Sequence, residues 1–231
     1  MTAKQLAFNL EHRPALGEDD FLVAGPNAEA VAWIDRHPDW PAPALILSGG
    51  AGSGKTHLAR VFMTKCQAHE IAHDNLMNDA TPVFPDCGAV VIEDCSKLVG
   101  NTSAEEALFH LYNQARESDR KMLLTARTPA ARWGIFLPDL ASRLRAAPSV
   151  QISGPDDSLL TAVLVKLFAD RQISIEQPVL EYVVPRIERS FEAAQNFVSQ
   201  ADELALQDKR RITVPLAREV LASQTDPQGP V

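Results

Sequence analysis

Cysteine is scarce in this sequence: Cys66, Cys87 and Cys95 are all there is, an odd number with no CxxC pair among them. A disulfide framework is excluded on that count, and the pattern fits thiols kept reduced in a cytoplasm. Cys66 is followed by His69 and His73, but no fourth ligand lies close in sequence, so the trio reads as the polar end of a helix and not as a metal site. No apolar run approaches the ~18 residues of a membrane span, and no basic stretch followed by an apolar one opens the chain as an export signal would. Basic residues are outnumbered, 22 Lys and Arg against 30 Asp and Glu, giving a net charge of −8. Affinity for phosphate backbones comes from clustered cations, so sequence-specific DNA binding is not expected. Neither an internal repeat nor a low-complexity block is present. The expected location is the cytoplasm, with no membrane partner.

What the sequence does have is enough apolar material for a real core: 45% hydrophobic and 23% charged residues over 231 positions. Residues 1–19 contain Pro14 and Gly17 and read as a flexible tail. From 20 to 153 strand and helix patterns alternate. A helical pattern covers about Asn27 to His37, "ALILS" (44–48) is a buried strand, and a helix follows Lys55 to about His69. "AVVIED" (89–94) is a second strand, 103–118 a helix and "MLLTA" (122–126) a third strand. Strands alternating with helices predict an α/β domain with a parallel sheet flanked by helices. After Gly154-Pro155 the strand signals stop. Asp156 to Asp170, Pro178 to about Ile187, Ser190 to Asp208 and Val214 to Leu221 carry helical periodicity, so 154–222 reads as a small all-helical domain and 223–231 as a disordered tail.

The strongest motif is "GGAGSGKT" (49–56), which matches G-x-x-x-x-G-K-[ST] between a strand and a helix. Gly49, Gly50, Ala51, Gly52, Ser53 and Gly54 form a turn whose N–H groups can face a phosphate, helped by the positive end of the following helix. Lys55 is placed to reach the β- and γ-phosphates and Thr56 to hold Mg²⁺. An acid is needed at the end of a neighbouring strand. "AVVIED" supplies Glu93, to organise Mg²⁺, and Asp94, to orient water; Glu93 is longer than the aspartate usual at its place. At the end of the third strand, Thr125 is the polar residue that a P-loop sheet sets beside the γ-phosphate, although a turn role for a threonine there is nearly as common.

The first residues pose a different problem. In "KQLAFNLEH" (4–12), Leu6, Phe8 and Leu10 alternate behind Gln5, so an extended segment shows all three to one side. Such a segment is either a strand on the protein's own core or a free peptide for a partner's apolar pocket. The acidic, proline-bearing linker at 13–20 favours the second reading.

With these residues in view, the chain resembles the AAA+ family and, within it, the DnaA branch. "GGAGSGKTHLAR" looks like the DnaA-type Walker A, with His57 following the loop. "VVIEDC" resembles Walker B, "LLTARTP" is similar to sensor 1, and "LPDLASRL" (137–144) resembles the box that carries the arginine finger, on which Arg143 falls with Arg145 as a nearby competitor. The likeness runs from about Asp20 to Leu221, and the chain stops where DnaA continues into a helix-turn-helix domain. A DnaA-like core preceded by "QLAFNL" resembles the regulatory inactivators of DnaA, the Hda family, whose N-terminal peptide Gln-Leu-x-hydrophobic-x-Leu binds the sliding clamp. Gln5, Leu6, Phe8 and Leu10 match it.

The resemblance implies ADP or ATP with Mg²⁺ as cofactors, weak intrinsic hydrolysis, and two partners: DnaA and the sliding clamp, the β subunit of DNA polymerase III. Docked on the clamp, such a protein stimulates ATP hydrolysis by DnaA through an arginine supplied in trans, and so represses re-initiation of replication. The alternative is an autonomous ATPase that remodels or loads another replication protein. A homodimer is compatible with either, since a finger can also meet a second copy. One position departs from the family: in "RIERSFEAAQNFV" (186–198), Glu192 stands where the sensor 2 arginine is expected. The resemblance then leaves Arg189, one turn earlier, as the substitute, and leaves the ADP-against-ATP preference open.

Overall fold

The computed structural model describes residue 23, residues 25–78 and residues 83–225. The segment with Gln5, Leu6, Phe8 and Leu10 and the residues after 225 lie outside these. The chain divides into two compact units, with the break between Ser153 and Gly154.

The first unit is built on three strands in which every residue is buried: β1 (Ala44–Ser48), β3 (Ala89–Ile92) and β4 (Lys121–Ala126). Strands buried on both faces read as unbroken apolar runs, and parallel pairing under helices explains why these do. Two short strands, β2 (His69–Glu70) and β5 (Ser149–Gln151), complete a parallel sheet of order β2-β3-β4-β1-β5. These two edge strands go beyond the sequence expectation. His69 and Glu70 are exposed and β5 buries only Val150, so neither carries the apolar run that marks a central strand.

Alternation along the strands sorts the core into two layers. Ala44, Ile46, Val90, Ile92, Met122 and Leu124 face one side, under α3 (His73–Asn78), α4 (Thr102–Glu117) and α5 (Pro138–Ala146). Leu45, Leu47, Ala89, Val91 and Leu123 face the other, under α1 (Gly25–Asp35) and α2 (Lys55–Cys66). Asn101 caps α4 by accepting the Ala104 N–H at 3.1 Å, and Pro138 opens α5, where its missing N–H costs nothing.

The second unit has helices and no strand among its described residues: α6 (Asp157–Asp170), α7 (Gln177–Val183), α8 (Phe191–Gln207) and α9 (Val214–Thr225). Asp156 caps α6 through the Leu159 N–H at 2.8 Å, and Ser190 caps α8 through the Ala193 N–H at 3.0 Å. Phe168 and Phe197 meet edge to face at 6.3 Å in its core, closing α6 on α8. None of the described helices is long and apolar enough to cross a membrane.

Candidate nucleotide site

The loop at 49–54 begins where β1 ends. Gly49 donates its N–H to the Ala126 carbonyl at 3.1 Å, which fixes the start of the loop against the end of β4. A side chain at Gly49 would run into the Ile152 carbonyl oxygen and Ser53 Oγ, so the close approach excludes any other residue. At the far end Gly54 has φ 94°, a left-handed conformation that glycine adopts without strain, and no side chain caps α2 behind it. Uncapped first-turn N–H groups at a helix start are what a phosphate binds.

Lys55 curls back over this loop, donating from Nζ to the Gly50 carbonyl at 2.6 Å and to Ser53 Oγ at 3.2 Å. Burial lowers its pKa, and the charge of Arg127 adds to this against the opposing pull of Asp94 and Glu93. Thr56 donates from Oγ1 to Glu93 Oε2 at 2.6 Å, which joins the hydroxyl and the carboxylate expected to share Mg²⁺. His57 lies half-buried in the first turn of α2. The glycine contacts, the open helix start and the Thr56–Glu93 pair together fit a nucleotide polyphosphate with its magnesium ion.

The chain leaves β3 at Ile92, so both acids stand just past the strand end. Glu93 is held by its backbone, whose carbonyl meets Nε2 of His73. Asp94 is left-handed, φ 48° and ψ 48°, and donates its N–H to Thr125 Oγ1 at 3.0 Å. Its carboxylate accepts from Ser96 Oγ at 2.9 Å and pairs with Lys97 Nζ at 3.1 Å. Burial works to raise the Asp94 carboxyl, but these two hydrogen bonds and the charges of Lys97 and Arg127 hold it below its ordinary value. Thus Lys55, Thr56, Glu93, Asp94 and Thr125 come together, as the sequence anticipates. Ser96, Lys97 and Arg127 are additions that no motif marked; the one signal available was their position within three residues of an expected strand end.

Arg143 belongs to a different cluster. Its guanidinium lies 4.5 Å from the Phe109 ring centroid and 5.6 Å from that of Tyr112, and Nη1 donates to Asn113 Oδ1. All three partners are on α4. Arg145 is exposed and has no ion pair among the described residues. A residue that sequence reasoning passed over fixes the approach to this helix: Glu105, only 2% exposed, accepts the N–H groups of Gly100 at 2.9 Å and of Phe136 and Leu137 at 2.8 Å.

In the second unit, Arg189 pairs with Asp157 at 2.8 Å. Glu192 is exposed in the first turn of α8, where a carboxylate complements the helix dipole. That gives Glu192 a local reason to be there, independent of any nucleotide.

Residues 157–221 match the family described as Hda, lid domain. An uncharacterized protein of Haemophilus influenzae is 25% identical over 79% of this chain and 83% of its own length. The chromosomal replication initiator protein DnaA of Thermomicrobium roseum is 26% identical over 87% of this chain and 48% of its own length, so the chain spans about half of that relative. Among solved structures, domain III of the Thermotoga maritima replication initiation protein DnaA superposes with a TM-score of 0.77 at 18% identity, covering 88% of this chain and 94% of that one. AMPPCP-bound DnaA from Aquifex aeolicus superposes with a TM-score of 0.70 at 14% identity, over 89% of this chain and 68% of that one. With its parallel sheet, its loop at 49–56 and these likenesses, the chain belongs to the DnaA branch of the AAA+ proteins and carries a lid of the Hda type.

Proposed function

We propose that this protein is a regulatory, adenine-nucleotide-binding AAA+ protein that docks on the DNA sliding clamp, stimulates ATP hydrolysis by DnaA and so represses re-initiation of replication. The observation that carries this reading is the match of residues 157–221 to the Hda lid on a DnaA-like core. The loop residues Gly49 to Thr56 hold ADP or ATP, and Thr56 and Glu93 hold Mg²⁺, whose charge screens the phosphates. Gln5, Leu6, Phe8 and Leu10 form the clamp-binding peptide.

Arg143 is the residue offered in trans to the nucleotide of DnaA, where charge develops on the transferring phosphoryl group. The site's own chemistry supports a weak intrinsic ATPase over an autonomous one. Asp94, the residue expected to orient water, has its carboxylate engaged by Ser96 and Lys97.

The test is hydrolysis of DnaA-bound ATP with this protein present, with and without clamp loaded on DNA. Stimulation that needs the loaded clamp, and that disappears when Gln5, Leu6 and Phe8 are changed together to alanine, is the expected result. Rapid ATP turnover by the protein alone, with no effect on DnaA, would favour the autonomous ATPase instead.

A further inference from the structure

Arg127 is the one charged residue in "TARTP" (125–129), and the register of the sheet gives it a particular place. β4 lies between β1 and β3. On the β1 side Ala126 pairs with Ser48, so Arg127 comes level with Gly49, the first residue of the phosphate loop. On the β3 side Leu124 pairs with Ile92, and the Asp94 N–H reaches Thr125 Oγ1 at 3.0 Å, so the two acids flank the same strand end. Arg127 therefore stands at the carboxyl end of the parallel sheet, between the loop and the acids, in the crevice where open α/β sheets bind ligands.

Its side chain is exposed and has no hydrogen bond or ion pair among the described residues. The charge is nevertheless felt on both sides. After burial, Arg127 is the contributor that lowers the Lys55 ammonium, and it helps hold the Asp94 carboxyl low. Two cations are thus held at one loop while Asp94 is engaged by Ser96 and Lys97. An anion with several oxygens relieves this arrangement, and a planar guanidinium is suited to bind one through two parallel hydrogen bonds.

We propose that Arg127 is a nucleotide-state-determining residue, binding the terminal phosphate of a nucleoside triphosphate held in its own chain. The phosphate loop cradles the α- and β-phosphates, whereas Arg127 lies on the Asp94 side, where the water-orienting acid stands, so a triphosphate gains its contact and a diphosphate does not. It takes over in part the role that Glu192, as a carboxylate, does not fill. This inference rests on the nucleotide-site reading of residues 49–56.

Calorimetric titration of the full chain with ADP and with AMPPCP, in Mg²⁺, tests both separately. Arg127→Ala is expected to weaken AMPPCP about tenfold or more, the size of a lost hydrogen bond to a charged group, while ADP affinity changes by less than about threefold. Arg127→Lys, which keeps the charge and loses the fork, is expected to fall between. Because the side chain is exposed, the melting temperature without nucleotide should not move. An equal loss for both nucleotides would make Arg127 a source of general attraction and overturn the proposal, as would no loss for either. Failure of the unsubstituted protein to bind either nucleotide would overturn the nucleotide site itself, and this proposal with it.

Discussion

Thr56 and Glu93, 37 positions apart, are joined by a 2.6 Å hydrogen bond from the threonine hydroxyl to the carboxylate. The bond ties the first turn of α2 to the end of β3, and it settles a doubt raised by the extra methylene of Glu93: its carboxylate reaches the threonine that it must meet.

Glu93→Gln keeps an oxygen to accept from Thr56 but removes the charge. The expected outcome is an unchanged melting temperature with loss of the Mg²⁺ enhancement of ADP affinity, so that titrations in Mg²⁺ and in a chelator coincide. Thr56→Val should have the same effect on Mg²⁺ dependence.

His37 makes stability depend on pH. It stands edge-on to Trp40 and Phe62, with ring centroids 5.4 and 5.1 Å away. Burial lowers its pKa below 6.5, and the charges of Lys121 and Lys65 add to this against Asp39. A folded-state value below the unfolded one means that the unfolded chain binds more protons on acidification. The contribution is therefore complete above about pH 6.5, where both states are neutral, and is lost as pH falls from there through the lower folded value. Denaturant titrations at pH 7.5 and 5.0 should show a loss of stability that is smaller in His37→Gln than in the unsubstituted protein.

The sheet's centre was legible because β1, β3 and β4 are buried on both faces and must be apolar throughout. The phosphate loop was legible because its glycines answer a local demand, the close approach at Gly49 and the left-handed turn at Gly54. The edge strands were not, since exposed His69 and Glu70 look like any loop. Glu105 and Arg127 were missed for a related reason. A carboxylate on a helix and an arginine after a strand are ordinary in sequence, and only long-range register puts the first beneath Phe136 and Leu137 and the second level with Gly49.

Glu105 carries more than its share of stability. Its carboxylate is the acceptor for three backbone N–H groups at the turn after Cys95–Lys97 and at the entry to α5. Glu105→Ala leaves these donors without that acceptor, at about 1–3 kcal/mol for each that stays buried. The expected result is a loss of at least about 3 kcal/mol in denaturant unfolding. Glu105→Gln, which keeps one acceptor oxygen, should lose less.

Arg143 is the residue on which a trans-acting role depends, and its surroundings say how it should behave. Stacked on Phe109 and bonded to Asn113, it is held against α4 of its own chain, away from the cluster of Lys55, Thr56 and Glu93. Half-exposed cation–π contacts are worth only about 0.5–1 kcal/mol, so Arg143→Ala should unfold at nearly the same denaturant concentration and bind ADP with unchanged affinity. The same substitution should remove stimulation of DnaA-bound ATP hydrolysis. Phe109→Ala, which frees the guanidinium without removing it, should retain part of that stimulation, because order is lost but not the charge. Measuring hydrolysis with Arg143→Ala, Phe109→Ala and Arg145→Ala side by side separates the candidates. If Arg145→Ala alone abolishes the effect, the exposed arginine is the finger and Arg143 is a packing residue of the α4–α5 contact.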